Sequence, residues 1–377
     1  MSPNTRAETT PGDVRVLMSF RAPRPTSNPY LPLLWDGLSH TRGIEPLHFS
    51  WREALVGRWD VLHVQWPETL LAGRTWLRRR VNELRYALLL GRVRLTGRGL
   101  VRTAHNVATH TPATGIGRRL ALLTDRWAGE VIRLNETTPV RAGAGVTTVP
   151  HGHYRDWYTV PADVARVPRR LLFFGLIRPY KGIEELLDAL AADPEADLEL
   201  RIVGAPADPA LAERIEAAAR TDPRVACLLR HLDDDELAAE ITAAAVVVLP
   251  YRELHNSGAL LLALSLDRPV LVPAGEVTDA LAAEVGQEWV RRFGAESATG
   301  AEAGSAAEPG TGTVLTAPSR TTRSVRVDDL AAALVAADQV TGRPDLGGRD
   351  WAEAAEVHAE VYRRAAGRPT YTGRHAR

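Results

Sequence analysis

At 377 residues, with 45% hydrophobic and 24% charged residues, the chain has the make-up of a soluble globular protein of two ordinary domains. Its single cysteine, Cys227, excludes an intramolecular disulfide and fits a reducing compartment, and no window approaches 18 uninterrupted apolar residues, which excludes a membrane-spanning helix. The 46 basic and 46 acidic residues balance overall but not locally: residues 1–163 hold 22 arginines against 13 acids, a surplus of +9, and the remainder stands at −9.

Residues 1–12 are polar and predict a disordered start without the apolar core of a signal peptide, which suits a cytoplasmic chain. A first strand is expected over 14–20, then a loop of turn formers over 21–30 and a helix carrying Leu31, Leu34 and Leu38. Strands over 44–49 and 59–64 follow. The second runs into His63-Val64-Gln65-Trp66-Pro67-Glu68, where polar and aromatic groups stand just past an apolar strand in a site-like position.

Between 73 and 93, Leu77, Val81, Leu84 and Leu88 fall at i, i+4, i+7 and i+11, one helical stripe. From Arg74 to Arg98 there are eight arginines and one acid, Glu83, with Trp76 and Tyr86 interleaved. Two readings stay open. The stripe packs on the core of an ordinary surface helix, or the helix is basic and amphipathic and lies on anionic lipid.

A strand over 100–104 ends in the polar pair His105-Asn106, a helix covers 118–127, and strands are expected over 131–134 and 146–149. This alternation predicts a first βα domain over 13–150, closed by a Pro/Gly hinge at 149–154. A second domain over 165–345 repeats it. Strands over 171–175, 198–203, 225–229, 245–249 and 270–272 alternate with helices from Ile183 and over 209–220, 233–244 and 259–265. Asp233-Asp234-Asp235 falls at a helix start and reads as a cap rather than a metal triplet. The stretch 293–312 reads as a flexible Ala/Gly/Glu/Ser-rich insertion, followed by a helix over 328–337 and a last one, with Trp351 and Tyr362, over 350–366. Residues beyond 366 read as a frayed basic tail.

The chemistry concentrates at strand ends of the second domain. Residues 171–175 form a continuous apolar run closed by Gly175, as a parallel strand buried on both faces requires, and a short turn then carries Arg178 and Lys181 into a helix. Lys181 is the one lysine among the 46 basic residues. A chance solvated lysine would explain it, but so would a demand for a compact, rotatable ammonium on a phosphate, seconded by Arg178. Gly204 closes a second strand, and Asn256-Ser257-Gly258 opens an apolar helix whose free N–H groups favour an anion. A diphosphate fits between that terminus and the Arg178/Lys181 pair.

FGLIRPYKG followed by EELL, and LPYRELHNSGALLLALSLDRPVLVP, resemble the donor-domain motifs of GT-B nucleotide-sugar glycosyltransferases of the family 4, group 1 type. DVLHVQWPE, RTAHNV and VPHGHY resemble first-domain strand ends and the interdomain link of those enzymes, so the likeness spans most of the chain. The resemblance implies an α/β protein of two Rossmann-like domains facing across a cleft, with the C-terminal helix crossing back to the first domain. It implies a hexosyltransferase that moves mannose or glucose from GDP-mannose or a UDP-hexose, without a metal or other cofactor, to a glycan or glycolipid hydroxyl. Gly175, Arg178, Lys181, Gly204, Asn256, Ser257 and Gly258 would hold the donor, His105 and Glu253 would be catalytic, and Asn28, Tyr30, Trp66 and Asn106 would meet the acceptor.

The pattern departs at one place. Many members carry two glutamates eight positions apart, but here Glu253 is followed by leucine at 261 and 262, which leaves the anomeric outcome open. A sugar-nucleotide epimerase of the same fold is an alternative. A polyanion-binding protein using the arginines of 74–98 leaves the lone lysine unexplained, so no nucleic acid partner is expected. The same arginines make an anionic membrane surface a candidate partner, with a peripheral location at its inner face.

Overall fold

The computed structural model describes residues 13–22, 28–105, 115–252, 254–294 and 324–367. Asn106 and Glu253, the start over 1–12, the insertion from 295 and the tail from 368 lie outside the described residues, so the expectations placed on them go no further here. Residue contacts divide the chain into a first unit, 1–153 with 347–377, and a second, 154–346. Among the described residues each unit is built on one sheet of six strands, all parallel, with helices between them.

In the first unit the strands are β1 (Val14–Met18), β2 (Ile44–Leu47), β3 (Val61–Val64), β4 (Gly99–Ala104), β5 (Glu130–Arg133) and β6 (Gly145–Thr148), in the order β2-β1-β3-β4-β5-β6. β3 is buried at every position, as the apolar run of a central parallel strand demands. The helices are α1 (Tyr30–His40), α2 (Trp51–Val56), α3 (Pro67–Leu71), α4 (Trp76–Thr96) and α5 (Gly115–Trp127). α2 and α3 were not legible in the sequence, because six and five residues are too few to show a helical period. Local chemistry forms them instead. Ser50 accepts the Glu53 N–H at 3.0 Å, and Pro67 at the first turn of α3 has a fixed φ suited to a helix start.

The second unit runs β7 (Arg170–Phe174), α6 (Ile183–Ala191), β8 (Glu199–Val203), α7 (Pro209–Thr221), β9 (Val225–Leu228), α8 (Asp234–Ala243), β10 (Val246–Val248), α9 (Gly258–Ser265), β11 (Val270–Pro273), α10 (Glu276–Val285), β12 (Val290–Phe293) and α11 (Val327–Ala337). Its order is β12-β11-β10-β7-β8-β9, so the strand before Lys181 sits near the middle of the sheet. Asp233 caps α8 in a reciprocal pair with Glu236, which is the role expected of it. α10 and β12 are additions to the sequence reading. β12 reads Val-Arg-Arg-Phe and lies at the sheet edge, where the apolar run of a buried strand is not needed.

The last helix, α12 (Trp351–Ala365), belongs to the first unit and packs on α1. The packing is close: a Cβ on Gly37 would stand 2.8 Å from the Trp351 carbonyl oxygen. Tyr362 from this helix is fully buried in the first unit.

The structure shows which face of the arginine-rich helix α4 the core takes. It buries Glu83, Tyr86, Leu89, Leu90 and Val93 against the sheet. The stripe of Leu77, Val81, Leu84 and Leu88 is exposed, Leu84 at 63% and Leu88 at 55%, together with Trp76 at 74%. The expectation that this stripe packs on the core is therefore wrong. At about 3.6 residues per turn the helix carries two apolar stripes nearly opposite one another, and the sheet takes the one holding Tyr86. Tyr86 can also satisfy its hydroxyl there, on Thr124 Oγ1 of α5 at 2.8 Å.

This assignment is open to a direct check. Leu89→Ala should cost about 2–5 kcal/mol of unfolding free energy, as buried leucines do, while Leu84→Ala should change it by less than about 0.5 kcal/mol. Urea titration of the two variants measures both, and equal losses would restore the core-facing reading.

Candidate active site

In the second unit three strand ends meet through their backbones. β7 stops at Phe174, and Gly175 follows with φ +102. Gly204, at the end of β8, has φ +141, and a Cβ there would collide with the Gly175 carbonyl. Gly182 has φ +69 and lies so close to the Pro250 carbonyl, just past β10, that a side chain is excluded. The loop after β7 is stitched to the loop after β8 by Ile177 N–H on the Ala205 carbonyl at 3.0 Å and Ala207 N–H on the Ile177 carbonyl at 2.9 Å.

This frame presents Lys181. Its ammonium would lie 3.5 Å from a Cβ on Gly175 and stands 4.8 Å from the centre of the buried Tyr251 ring. A Tyr face attracts a cation without neutralising it. Burial, with the Arg178 charge adding repulsion, draws the Lys181 pKa down to about 8. Among the described residues no carboxylate pairs with Arg178 or Lys181, whereas the neighbouring Arg252 is paired with Glu185. Two adjacent cations, one half-desolvated and neither compensated, are a site for an anion. After β10, Ser257 caps α9 by accepting the Leu260 N–H at 3.2 Å, and Gly258 opens that helix.

Tyr251 was not singled out from the sequence. Its one signal there is an aromatic residue directly after Pro250 at a strand end, and its function depends on a ring–ammonium distance that spacing cannot show.

In the first unit the ends of β1, β3 and β4 carry the other candidates. His105 is 8% exposed, stacks on Trp66 with centroids 4.1 Å apart and planes at 19°, and meets the Tyr30 ring edge-on at 5.2 Å. Tyr30, Trp66 and His105, far apart in sequence, are thus brought together, with His151 and Trp351 completing the cluster at 4.9 and 5.3 Å from Tyr30. Asn28 stands apart as an exposed residue that accepts the Tyr30 N–H at 3.0 Å and shapes the entry to α1.

Behind the cluster runs a buried polar chain that the sequence did not reveal. His105 Nε2 lies 2.5 Å from Gln65 Oε1, Gln65 Nε2 lies 3.2 Å from His63 Nε2, and His63 Nδ1 lies 2.7 Å from the Tyr362 hydroxyl. Ser19 Oγ accepts the Gln65 backbone N–H at 2.8 Å and anchors the main chain there. With Gln65 Oε1 facing His105, as the distances place it, His105 Nε2–H donates to Gln65, and Gln65 donates to His63 Nε2, which also meets Thr103 Oγ1 at 2.7 Å; His63 Nδ1–H then donates to Tyr362. Nδ1 is then the basic atom of His105. Burial first, then the Arg102 charge, holds the His105 pKa well below its ordinary value, so the ring is neutral. A neutral imidazole locked in one tautomer hydrogen-bonds a hydroxyl well and takes its proton only as bond-making develops.

The comparisons with known proteins bear on the family and the fold. The family profile described as "Glycosyl transferases group 1" matches residues 168–291. A GDP-mannose:glycolipid 4-beta-D-mannosyltransferase of Xanthomonas campestris pv. campestris is 40% identical over 371 residues, covering 97% of this chain and 96% of its own. Among solved structures, sucrose-phosphate synthase from Thermosynechococcus elongatus matches with a TM-score of 0.55 at 15% identity over 94% of each chain. The catalytic domain of starch synthase IV from Arabidopsis thaliana, bound to ADP and acarbose, matches with a TM-score of 0.56 at 9% identity, covering 95% of this chain and 100% of its own. The two structures speak to the fold alone.

The buried histidines make stability depend on pH in one direction. Burial depresses His151 and His358 from 6.5 to about 4 in the folded protein. Between those values the unfolded chain binds protons that the folded chain does not, so stability falls as pH drops from 6.5 towards 4 and is level in these groups above 6.5. The double variant His151→Gln/His358→Gln should show a shallower loss of urea midpoint between about pH 7 and 5. An unchanged slope would remove these two histidines from the account.

Proposed function

Because the chain belongs to the group 1 glycosyltransferases, as 40% identity across nearly its whole length establishes, we propose that it transfers mannose from GDP-mannose to a hydroxyl of a glycolipid, with a UDP-hexose as the alternative donor. The observation that carries the donor site is the pair Arg178 and Lys181, uncompensated among the described residues, with Lys181 over Tyr251 where three strand ends meet. In the transfer, the bond between the sugar's anomeric carbon and the diphosphate breaks, the acceptor oxygen bonds to that carbon, and the hydroxyl proton is released. Charge grows on the departing diphosphate. Arg178, Lys181 and the free N–H groups at the Ser257–Gly258 helix start are placed to stabilise it, which is the task a divalent ion performs elsewhere. We assign no metal to the reaction, so turnover should survive EDTA.

His105, in its locked neutral form, is assigned to the transferred sugar or the acceptor hydroxyl, and the Tyr30 and Trp66 rings offer apolar faces for a sugar to lie on. Among the described residues no helix is long and apolar enough to cross a membrane. The exposed apolar stripe of α4 with arginines beside it instead favours a peripheral position on the anionic inner face of a cytoplasmic membrane.

A melting-point panel of GDP, UDP, ADP and TDP tests the donor, since a ligand bound to the folded state alone raises the transition. GDP should give the largest shift. The Lys181 pKa adds a sharper test. A bound diphosphate raises that pKa above its value of about 8, so binding draws in a proton only where the free lysine has lost one. GDP affinity by calorimetry should therefore be level below about pH 8 and weaken above it by up to about tenfold per pH unit. Lys181→Arg should abolish that dependence, and both it and Arg178→Ala should lose about 2–4 kcal/mol of transition-state stabilisation. Wild-type turnover in Lys181→Arg would take the lysine out of the site.

Flotation with liposomes tests the membrane assignment. Recovery should be high with anionic vesicles, low with neutral ones, and should decline with salt as the Debye length contracts to about 8 Å at physiological strength. Leu84→Asp with Leu88→Asp should abolish it, and equal recovery with both vesicle types would refute it.

A further inference from the structure

The hydrogen bonds behind His105 form a row that can be written in two directions. In the direction described above, Gln65 Oε1 accepts from His105 Nε2–H, the amide nitrogen donates to His63 Nε2, and His63 Nδ1–H donates to the Tyr362 hydroxyl. Turning the Gln65 amide over would reverse every bond. The amide would then donate to His105 Nε2, His63 Nε2–H would donate to the amide oxygen, and the Tyr362 hydroxyl would donate to His63 Nδ1. The two directions leave different faces on His105. One offers a basic Nδ1, the other an Nδ1–H that can only donate.

The inner members are held where they stand. The Gln65 main chain is pinned through its N–H on Ser19 Oγ at 2.8 Å and through its carbonyl, which accepts from Arg102. His63 and Gln65 are both fully buried, so neither side chain can turn to bulk water. Thr103 Oγ1, 2.7 Å from His63 Nε2, serves either direction, since a hydroxyl both donates and accepts. The outer end is different. Tyr362, fully buried on α12, meets His63 Nδ1 at 2.7 Å and has Met18 Sδ at 4.0 Å as an outlet for its own proton. It can therefore take the His63 Nδ1–H. Without the hydroxyl, that N–H would be a buried donor with no acceptor among the described residues. Reversing the row would remove the orphaned donor and leave only a bare lone pair, the more tolerable of the two.

We propose that Tyr362, acting through His63 and Gln65, sets which nitrogen of His105 carries the proton, which makes all three positioning residues for the transfer. The inference rests on the role given to His105 above and deepens it. With Gln65 Oε1 towards His105, Nδ1 takes the acceptor's proton. The hydroxyl O–H bond breaks, an N–H bond forms on Nδ1, and the ring carries the positive charge until that proton leaves to solvent. An amide passes no proton on, so the row orients His105 without draining it. The titratable and charged groups facing His105 are Arg102 on β4, His63 on β3, Tyr30 on α1, His151 after β6 and His358 on α12, and none of these is a carboxylate.

Nitrogen NMR of the full chain with labelled histidine tests it, the His105 signals being those lost in His105→Gln. At about pH 7.5 the wild type should hold His105 as the Nε2–H tautomer. Tyr362→Phe should move about half of it or more to the Nδ1–H tautomer, and should slow GDP release from GDP-mannose about tenfold while GDP affinity is retained. Gln65→Glu sets a carboxylate against Nε2, so His105 should take a second proton close to neutral pH, where the wild-type ring stays neutral. An Nδ1–H His105 in the wild type overturns the proposal, as does a Tyr362→Phe protein whose His105 tautomer is unchanged. Should Tyr362→Phe fail to fold, Gln65→Glu decides, and a His105 that titrates as in the wild type overturns it. Full GDP release by His105→Gln, with the tautomers behaving as expected, would instead refute the role of His105 in the reaction and leave its control by Tyr362 standing.

Discussion

The edge of the second unit that carries Lys181 depends on backbones passing where no side chain could fit. Gly204 lies against the Gly175 carbonyl and Gly182 against the Pro250 carbonyl, so the loops after β7, β8 and β10 form one surface. Only that closeness lets a side chain from the turn after β7 reach across Gly175 to the Tyr251 ring. The outcome is an ammonium partly stripped of water, attracted by a ring face and, among the described residues, left without a counter-charge. Such a group is poised: it gains more from an arriving phosphate than a solvated lysine would, because part of its desolvation is already complete in the folded protein.

The first unit solves the opposite problem. Its strand ends bury histidines, which must stay neutral to be tolerated, and the chain from His105 through Gln65 and His63 to Tyr362 satisfies the ring nitrogens that face it. The last contact comes from α12, nearly three hundred residues away along the chain. The helix that closes the unit thereby helps to hold the tautomer of a residue at the end of β4. The basic helix α4 is a third case. Its sheet-facing stripe is settled by Tyr86 and the leucines packed around it, so the second stripe and most of its arginines are left exposed.

Much of the fold could be read from the residues alone. Continuous apolar runs such as 171–174, bounded by glycines and followed by helical spacing, name a buried parallel strand and its crossover helix with little ambiguity, and the alternation repeats along both halves. Lys181 stood out because it is alone among the basic residues, and the Asp233 cap followed from its place before an apolar run. These signals are local: each depends on neighbours within a turn or two of helix, where spacing and contact nearly coincide.

What the residues could not settle were choices between faces and between distant partners. Two stripes on α4 have almost equal apolar character, and only the sheet beneath, with Thr124 ready to meet the Tyr86 hydroxyl, selects one. Gln65, Ser19 and Tyr362 carry no mark of their roles, because hydrogen bonds between residues tens to hundreds of positions apart leave no periodicity. The cavity lined by four arginines in the first unit is of the same kind. Arg21 joins Arg74, Arg78 and Arg85 only because the end of β1 and the start of α4 lie near one another, and charge counted along a sequence shows a surplus but not where it converges. Local pattern fixes which elements form. Which faces and charges meet is decided by packing, since that is where desolvation and hydrogen-bond satisfaction are counted over the whole fold.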